Sequence, residues 1–579
     1  MTRQLIRECF RLLAPWERAI FYFAAIVAIC SGLVLAIIFT ATHTTRVADF
    51  GGSYTEIILG SPRFINPVLA PANDADRDLV KLLYSGLMRY DDKGNLVPDL
   101  AESYSVATDA KMFIFKLRQD ALWHDGEPVG VDDVLFTIRL LQSYDYQSPL
   151  RFAWQGVRAE KLDDTTIAMT LQGPYEPFLA QTVVGIMPRH IWQDVQPQAF
   201  ALSDYNLYPV GSGPFAFANL ERRGDGTVTS LHLKRNNIFY RQKPWLEKIT
   251  ITFSESREEA LAMVSKNQVD GFAGDFTTEM TQMMPSAHRQ TIAMRFPRVF
   301  GVFFNQIQSP ALAQKAVREA LHYAIDRQTL ANELYGEDAE VLYGPLPSSV
   351  FAFTDEITKR QYDPQKAAAL LENAGWKIGG DGMRVFTEKK KEEQTVGSKK
   401  ITVETVVTTT LEFSLLTANV PELEKVAERL KTQWEQIGAR VTVEVAGVAD
   451  IQGERIRPRL FDAVLFGQVY GLDPDPYAFW HSSQRRDPGL NLAQYHNPKV
   501  DRALEDARQL TDPETRKRLL ADFQKIVADD MPALFLFSPH YQYHLSGSIH
   551  NVQTSVIANP SERFGNITSW YMKTKRVWK

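Results

Sequence analysis

At 579 residues, with 45% hydrophobic and 23% charged side chains, the chain has an ordinary globular composition and room for two or more domains. Lysine and arginine number 64 against 69 aspartate and glutamate, a formal charge of -5, which excludes the basic footprint of a nucleic-acid-binding protein. The two cysteines, Cys9 and Cys30, both stand near the N-terminus, so the bulk of the chain has neither disulfides nor thiol chemistry.

From Ala19 to Thr42 ("AIFYFAAIVAICSGLVLAIIFTAT") no residue is charged. The run is long enough to cross a bilayer as one helix, and longer than the roughly 7–15-residue core of a cleaved signal peptide. Arg3, Arg7, Arg11 and Arg18 precede it against Glu8 and Glu17. By the positive-inside rule, residues 1–18 are expected in the cytoplasm, 19–42 as an uncleaved transmembrane anchor, and the remainder outside. Cys30 follows Ile29, where lipidation would want a small residue, and apolar residues continue beyond it; it reads as a plain membrane-helix residue. Residues 43–53, polar and glycine-containing, are expected as a linker.

The outer portion then alternates strand and helix patterns without repeats or low-complexity sequence, so its fold class is α/β. "YTEIILG" reads as a strand, and residues 74–90 place Leu79, Leu82, Leu83 and Leu87 at helical spacing. In "MFIFKLR" (112–118), Phe113, Phe115 and Leu117 alternate inward against Lys116 and Arg118, a half-buried strand. The basic run "EKKKEE" (388–393) is flanked by its own acids and reads as a solvated hairpin or loop. Residues 421–445 give an amphipathic helix, a stop at Gly438 and a strand, which predicts a second α/β domain. Residues 497–537 give two helices and a final apolar strand.

The stretch "LWHDGEPVGVDDVLFT" (122–137) gathers a histidine and several acids, as an active site would. Turn and cap physics accounts for each of the acids. Asp125-Gly126 before Pro128 is turn chemistry closing a hairpin. Gly130 serves as a helix N-cap, with Asp132 and Asp133 in the first turn, where carboxylates meet the positive end of the dipole. Val134, Ile138 and Leu141 then form the buried stripe. No His124–Asp133 dyad is implied.

That stretch also resembles the signature of the extracytoplasmic solute-binding proteins of ABC importers, in the dipeptide, oligopeptide and nickel class. Further motifs agree in the family's order: "LLYSGLMRYDDKGNLVPDLAESYSV" (82–106), "FKLRQDALWHDG" (115–126), "VGSGPF" (210–215), "VFFNQ" (302–306) and "AVREALHYAIDRQTL" (316–330). "LLENAGW" (370–376), "DPDPYAFWHSS" (473–483) and "YHNPKVDRALEDAR" (495–508) complete the set. The resemblance covers roughly Tyr54 to Tyr543. It implies a two-lobed periplasmic-binding-protein-like fold of the large class behind the single transmembrane helix, with lobe I at 54–295 and 541–579 and lobe II at 296–540. Hinge crossings are expected near 295–305 and 535–545, where "RVFGVFFN" and "ALFLFSP" are extended and apolar. The implied function is capture of a peptide-like or other polar oligomeric ligand and its delivery to the permease subunits of an ABC importer, by a membrane-anchored monomer.

Peptide-binding members place a carboxylate three residues before an Asp-Pro-Asp motif, against the ligand's ammonium. Here the motif is Asp473-Pro474-Asp475, and Tyr470 stands at that position. A phenol is neutral, so the charge-assisted contact is not carried over. If this strand faces the cleft as in the family, Gln468 and Tyr470 point the same way and offer amide and phenol groups. Asp473 either substitutes for the missing carboxylate or shapes the turn. Trp480 is either a stacking platform or core, and Asn305 either binds ligand backbone or holds the crossing strand. His540 and His544 lack a third ligand, so no metal and no cofactor are expected.

Two other readings stand beside import. A hydrolase finds no G-x-S-x-G, H-E-x-x-H or phosphate-loop motif, "GSG" (211–213) being a tight turn, and the expectation is a protein that is not an enzyme. A sensory or scaffold module of the same fold would have to signal through a cytoplasmic portion of only residues 1–18.

Overall fold

The computed structural model describes residues 14–282, 289–396 and 399–579, and side chains outside 289, 390–396 and 399–403. Arg3, Arg7, Arg11 and Cys9 therefore lie outside the described residues. The uncharged run forms the interior of a helix, Pro15–His43, none of whose residues is buried. This is the helix long and apolar enough to cross a membrane among the described residues.

The segment expected as a linker is mostly a strand. Thr44–Asp49 follows the helix directly and pairs antiparallel with the C-terminal strand Lys573–Trp578. Its polar sequence disguised it, because a two-stranded ribbon in solvent has no face to bury.

Two large sheets follow. The first has seven strands in the order 289–294, 541–546, 271–274, 53–59, 248–254, 228–235 and 215–222. The second has six, in the order 339–341, 533–539, 298–304, 463–469, 412–418 and 440–446. The chain passes from the first to the second across residues 295–297 and returns at His540. A four-stranded sheet, Ala101–Val106, Met112–Leu117, Arg158–Lys161 and Thr166–Thr170, shares the first sheet's core. The second sheet is covered on both faces. Leu534 and Leu536 enter one core with helices Lys315–Tyr323 and Pro421–Glu435, while Ala533 and Phe535 enter the other with helix Pro513–Asp530. That is why "ALFLFSP" reads as an unbroken apolar run, and all of Ala533–Pro539 is buried.

Helix Pro421–Glu435 links the parallel strands Glu412–Ala418 and Arg440–Ala446, with Gly438 at a φ of +88° in the turn between. The basic run "EKKKEE" lies in the hairpin of Arg384–Val396 with Lys399–Thr410. The helix expected over 74–90 stops at Leu83, and Met88–Tyr90 is a short strand. Leu87 is still buried, but the chain has already left the helix.

What stops that helix also explains the histidine of residues 122–137. The loop 211–213 packs against the helix end so closely that a Cβ on Gly211 would sit 1.9 Å from the Leu83 carbonyl oxygen. Gly213 N–H donates to the same carbonyl (2.8 Å). His124 clamps this loop: its backbone N–H donates to Gly211 C=O (2.8 Å), and its ring bonds to Gly211 N–H (3.1 Å) and Gly213 C=O (3.1 Å). Gly211 N–H can only donate, so Nδ1 must accept and Nε2 must carry the proton. Downstream, Gly130 caps helix Val131–Gln142, and Asp133 accepts from Gly130 N–H (2.9 Å) and Arg189 N–H (2.8 Å). Asp133 caps the helix as turn and cap physics implied, and His124 holds the 211–213 loop.

Burial pushes the His124 imidazole down to about 4. A histidine held neutral adds stability above its unfolded pKa near 6.5, and that stability is lost as pH falls toward 4. His124→Gln removes the titration. Wild type should therefore lose on the order of 3 kcal/mol relative to the variant between those pH values, measured by denaturant unfolding of both across pH. Parallel pH profiles would show that His124 is not held neutral.

Candidate functional site

The cleft lies where the two sheets face each other beside the crossings. A cavity of about 510 Å³ is lined from the first sheet's side by Ile57, Asp78, Phe272, Asp275, Phe276 and Arg563. From the second sheet's side come Arg298 and Val469, with Phe296 and Tyr541 at the crossings. A second cavity of about 270 Å³ adjoins it, sharing Arg77 and Asn559, between helix Asp74–Leu83 and residues 559–568.

The charges lining the cleft are already matched. Arg298 grips Asp275 with both terminal guanidinium nitrogens (2.7 and 2.6 Å). Arg77 pairs with Asp74, and Arg257 with Glu422 (3.1 Å) from helix Pro421–Glu435. Arg563, fully buried, donates to Asp78 (2.8 and 2.6 Å) and Glu56 (2.9 Å). Glu56 also accepts from the hydroxyls of Tyr54 and Tyr543. Burial pushes its carboxyl up, against the pull of Arg563. The larger cavity thus offers apolar walls, hydrogen-bonding edges and compensated charge, each of its described lining carboxylates being paired with an arginine.

The structure places the sequence-predicted residues differently from the cleft lining. Tyr470 is 3% exposed and points into the core of the second sheet. Its backbone N–H donates to Pro297 C=O (2.8 Å), its hydroxyl donates to Gln468 Oε1 (3.1 Å), and Trp480 Nε1–H donates to it (2.9 Å). Gln468, Tyr470 and Trp480 are therefore brought together, in one buried network. Strand alternation holds, but the pair faces the core, and Val469 between them, 48% exposed, faces the cleft. Asn305 is buried and structural: its side chain accepts from Ile307 and Gln308 N–H (3.2 Å each) and donates to Arg459 C=O (3.1 Å).

Asp473 lies apart, at a contact between the lobes. Arg516 of helix Pro513–Asp530 holds it with two bonds (2.8 and 2.5 Å) and reaches Glu176 of the first lobe at 2.8 Å. Beside them Asp475 takes Arg508 (2.7 Å) and the Tyr175 hydroxyl (3.2 Å). Arg298, Asp275 and Arg563 were not singled out by sequence reasoning. Arg298 carried one usable signal, a charge at the head of the apolar crossing strand.

Burial, and then the neighbouring charge of Asp473, raise the Glu176 carboxyl to about 7, against the lowering pull of Arg516. A carboxyl raised by the contact favours that contact at low pH, and the advantage is lost as pH rises through about 7. The lobes should therefore open more readily at pH 8 than at pH 6, measured by fluorescence transfer between probes on the two lobes. Glu176→Gln should flatten that dependence; an unchanged pH profile would show that Glu176 does not titrate there.

The chain's relatives agree with this architecture. The family model described as bacterial extracellular solute-binding proteins, family 5, middle part, matches residues 95–489. The oligopeptide-binding protein AppA of Bacillus subtilis is 25% identical over 87% of this chain and 91% of its own length. Its structure in complex with a nonapeptide superposes with a TM-score of 0.68 at 24% identity, over 91% of this chain and 100% of that one. NikZ from Campylobacter jejuni, solved with Ni(L-His), gives 0.70 at 24% identity over 90% of this chain and 99% of that one. The chain belongs to the bacterial extracellular solute-binding proteins of family 5, the solute-capturing components of ABC importers.

Proposed function

We propose that the chain is a membrane-anchored monomer that traps a peptide-like ligand between its lobes and delivers it to the permease subunits of an ABC importer. In this reading lobe I comprises 54–295 and 541–579, and lobe II 296–540. The helix through 19–42 stays attached after export, with residues 1–18 cytoplasmic. The observation that carries the ligand class is the cleft's compensated charge: Asp74, Asp78 and Asp275 each already hold an arginine. A ligand ammonium gains no free carboxylate there, while apolar walls and paired ions suit a neutral or zwitterionic oligomer. No imidazole or thiolate stands among the described lining residues, which favours a peptide over a metal chelate. The likeness to an oligopeptide-binding protein supports the same class. Arg298, Val469 and Tyr541 form the contact set, while Tyr470, Gln468 and Trp480 stiffen the wall behind Val469, and Asp473 and Asn305 hold loops.

Free and N-acetylated peptide pools should raise the melting temperature of the detergent-solubilised chain equally; dependence on the free amine would overturn the charge argument. Val469→Trp puts a large side chain into the cavity from an exposed position. It should weaken peptide binding about ten-fold or more with little change in the unliganded melting temperature, by calorimetry. For the anchor, terminal sequencing of the native membrane protein should recover a chain that still contains Met1 to Arg18 or begins within it. A start near residue 45, or at Cys30, would mean the helix is removed.

A further inference from the structure

The ribbon that joins the anchor helix to lobe I has one face whose charges find no opposite partner among the described residues. In its register Thr44 opposes Trp578, Arg46 opposes Arg576, and Ala48 opposes Thr574. Opposed residues share a face, so the two arginines lie side by side with Trp578 next to them, toward the helix. Both arginines are exposed, and among the described residues neither is paired with a carboxylate. Like charges directly opposed on a ladder repel, so this pairing destabilises the ribbon unless an anion joins it. The other face differs: Lys575 there reaches Asp49 (3.3 Å).

Position adds the second observation. The strand starts at the residue after the helix ends, and Trp578, 68% exposed, packs its ring edge-on at 6.2 Å from Phe39 in the helix. Lys579 N–H donates to the His43 carbonyl (2.9 Å). Residues 578 and 579 are thereby fixed where the apolar helix gives way to polar chain, the depth at which tryptophan concentrates in membranes. At the other end the Phe50 ring packs tilted against Trp245 (4.4 Å) and Gly51 N–H donates to Trp245 C=O (2.8 Å), which joins the ribbon to lobe I. A six-residue ribbon spans about 20 Å, so lobe I stands close over the bilayer.

We propose that this ribbon is a headgroup-binding stalk: Arg46 and Arg576 share the phosphate of an anionic phospholipid, with Trp578 seated beside it at the interface. Guanidinium forks match phosphate oxygens, and one shared anion cancels the repulsion across the ladder. The proposal rests on the anchor reading and extends it from a tether to an oriented stalk.

The test uses the full chain in nanodiscs of phosphatidylcholine alone or mixed equally with phosphatidylglycerol, read by amide hydrogen exchange at 44–49 and 573–578. Phosphatidylglycerol should slow ribbon exchange by about ten-fold or more, as expected for two basic residues at an anionic surface, and high salt should reverse it. Arg46→Gln with Arg576→Gln should abolish the slowing, while Lys573→Gln with Lys575→Gln on the other face should leave most of it. Equal exchange in the two discs, or equal loss from both double variants, would overturn the proposal. So would slowing that appears only when a permease is added. Because the helix is present in every disc, these outcomes stand apart from cleavage of the native anchor, which terminal sequencing reads separately.

Discussion

Arg563 is the interaction on which lobe I and the floor of the cleft depend. Its guanidinium bonds Glu56 in strand Ser53–Leu59 and Asp78 in helix Asp74–Leu83, while Glu56 also takes the hydroxyl of Tyr543 from the strand that returns from lobe II. One cation therefore joins the first strand of the lobe, its first helix, the returning strand and the C-terminal segment. Burying such a set costs desolvation that the pairing only roughly offsets, so its contribution is geometric more than energetic. Removing the arginine would strand two buried carboxylates, a loss of several kcal/mol by the usual behaviour of broken buried pairs. The ends of the chain are thus held as one rigid floor, against which the other lobe can close.

Across the cleft the bonds are of another kind. Arg298 with Asp275, Arg257 with Glu422 and Arg516 with Glu176 each join elements of the two lobes. Their partners keep between about a sixth and two-fifths of their side-chain surface exposed, apart from Arg516. Solvent can replace what opening breaks, and a partly exposed pair contributes little net stability. A binding protein needs this balance: a ligand shifts the equilibrium only by the difference of its affinities for the two states, so the lobes must not close too firmly alone.

Much of this was legible in sequence because it is local. The alternation in 112–118, the helix and Gly438 stop of 421–445, and the cap at Gly130 with Asp133 are all fixed by neighbours a few residues away. The direction of Tyr470 was not. Alternation says that Gln468 and Tyr470 share a face, but which face meets the cleft depends on how two sheets stack. Trp480, ten residues on, supplies the partner that draws the phenol inward. The cleft charges were hidden for the same reason, since Glu56, Asp78 and Arg563 meet only through the fold. So was the ribbon, whose two strands lie at opposite ends of the chain.

That closure of the chain on itself bears on which part moves. Both termini leave from lobe I, one through the helix and ribbon, the other as the ribbon's second strand. Among the described residues the chain crosses to lobe II at 295–297 and returns at His540, and the lobes also touch through partly exposed ion pairs and a small buried cluster of Tyr90, Leu472 and Val556. Whatever restrains the helix restrains lobe I, because ribbon, Trp245 and the Arg563 set form an unbroken chain of ordered contacts. A rotation at the two crossings would carry lobe II over lobe I, so that a ligand would be enclosed by the lobe farther along the chain from the N-terminal helix. The side chains set to register that motion are those on both sides of the crossings: Arg298 against Asp275, and Tyr541 beside Phe296.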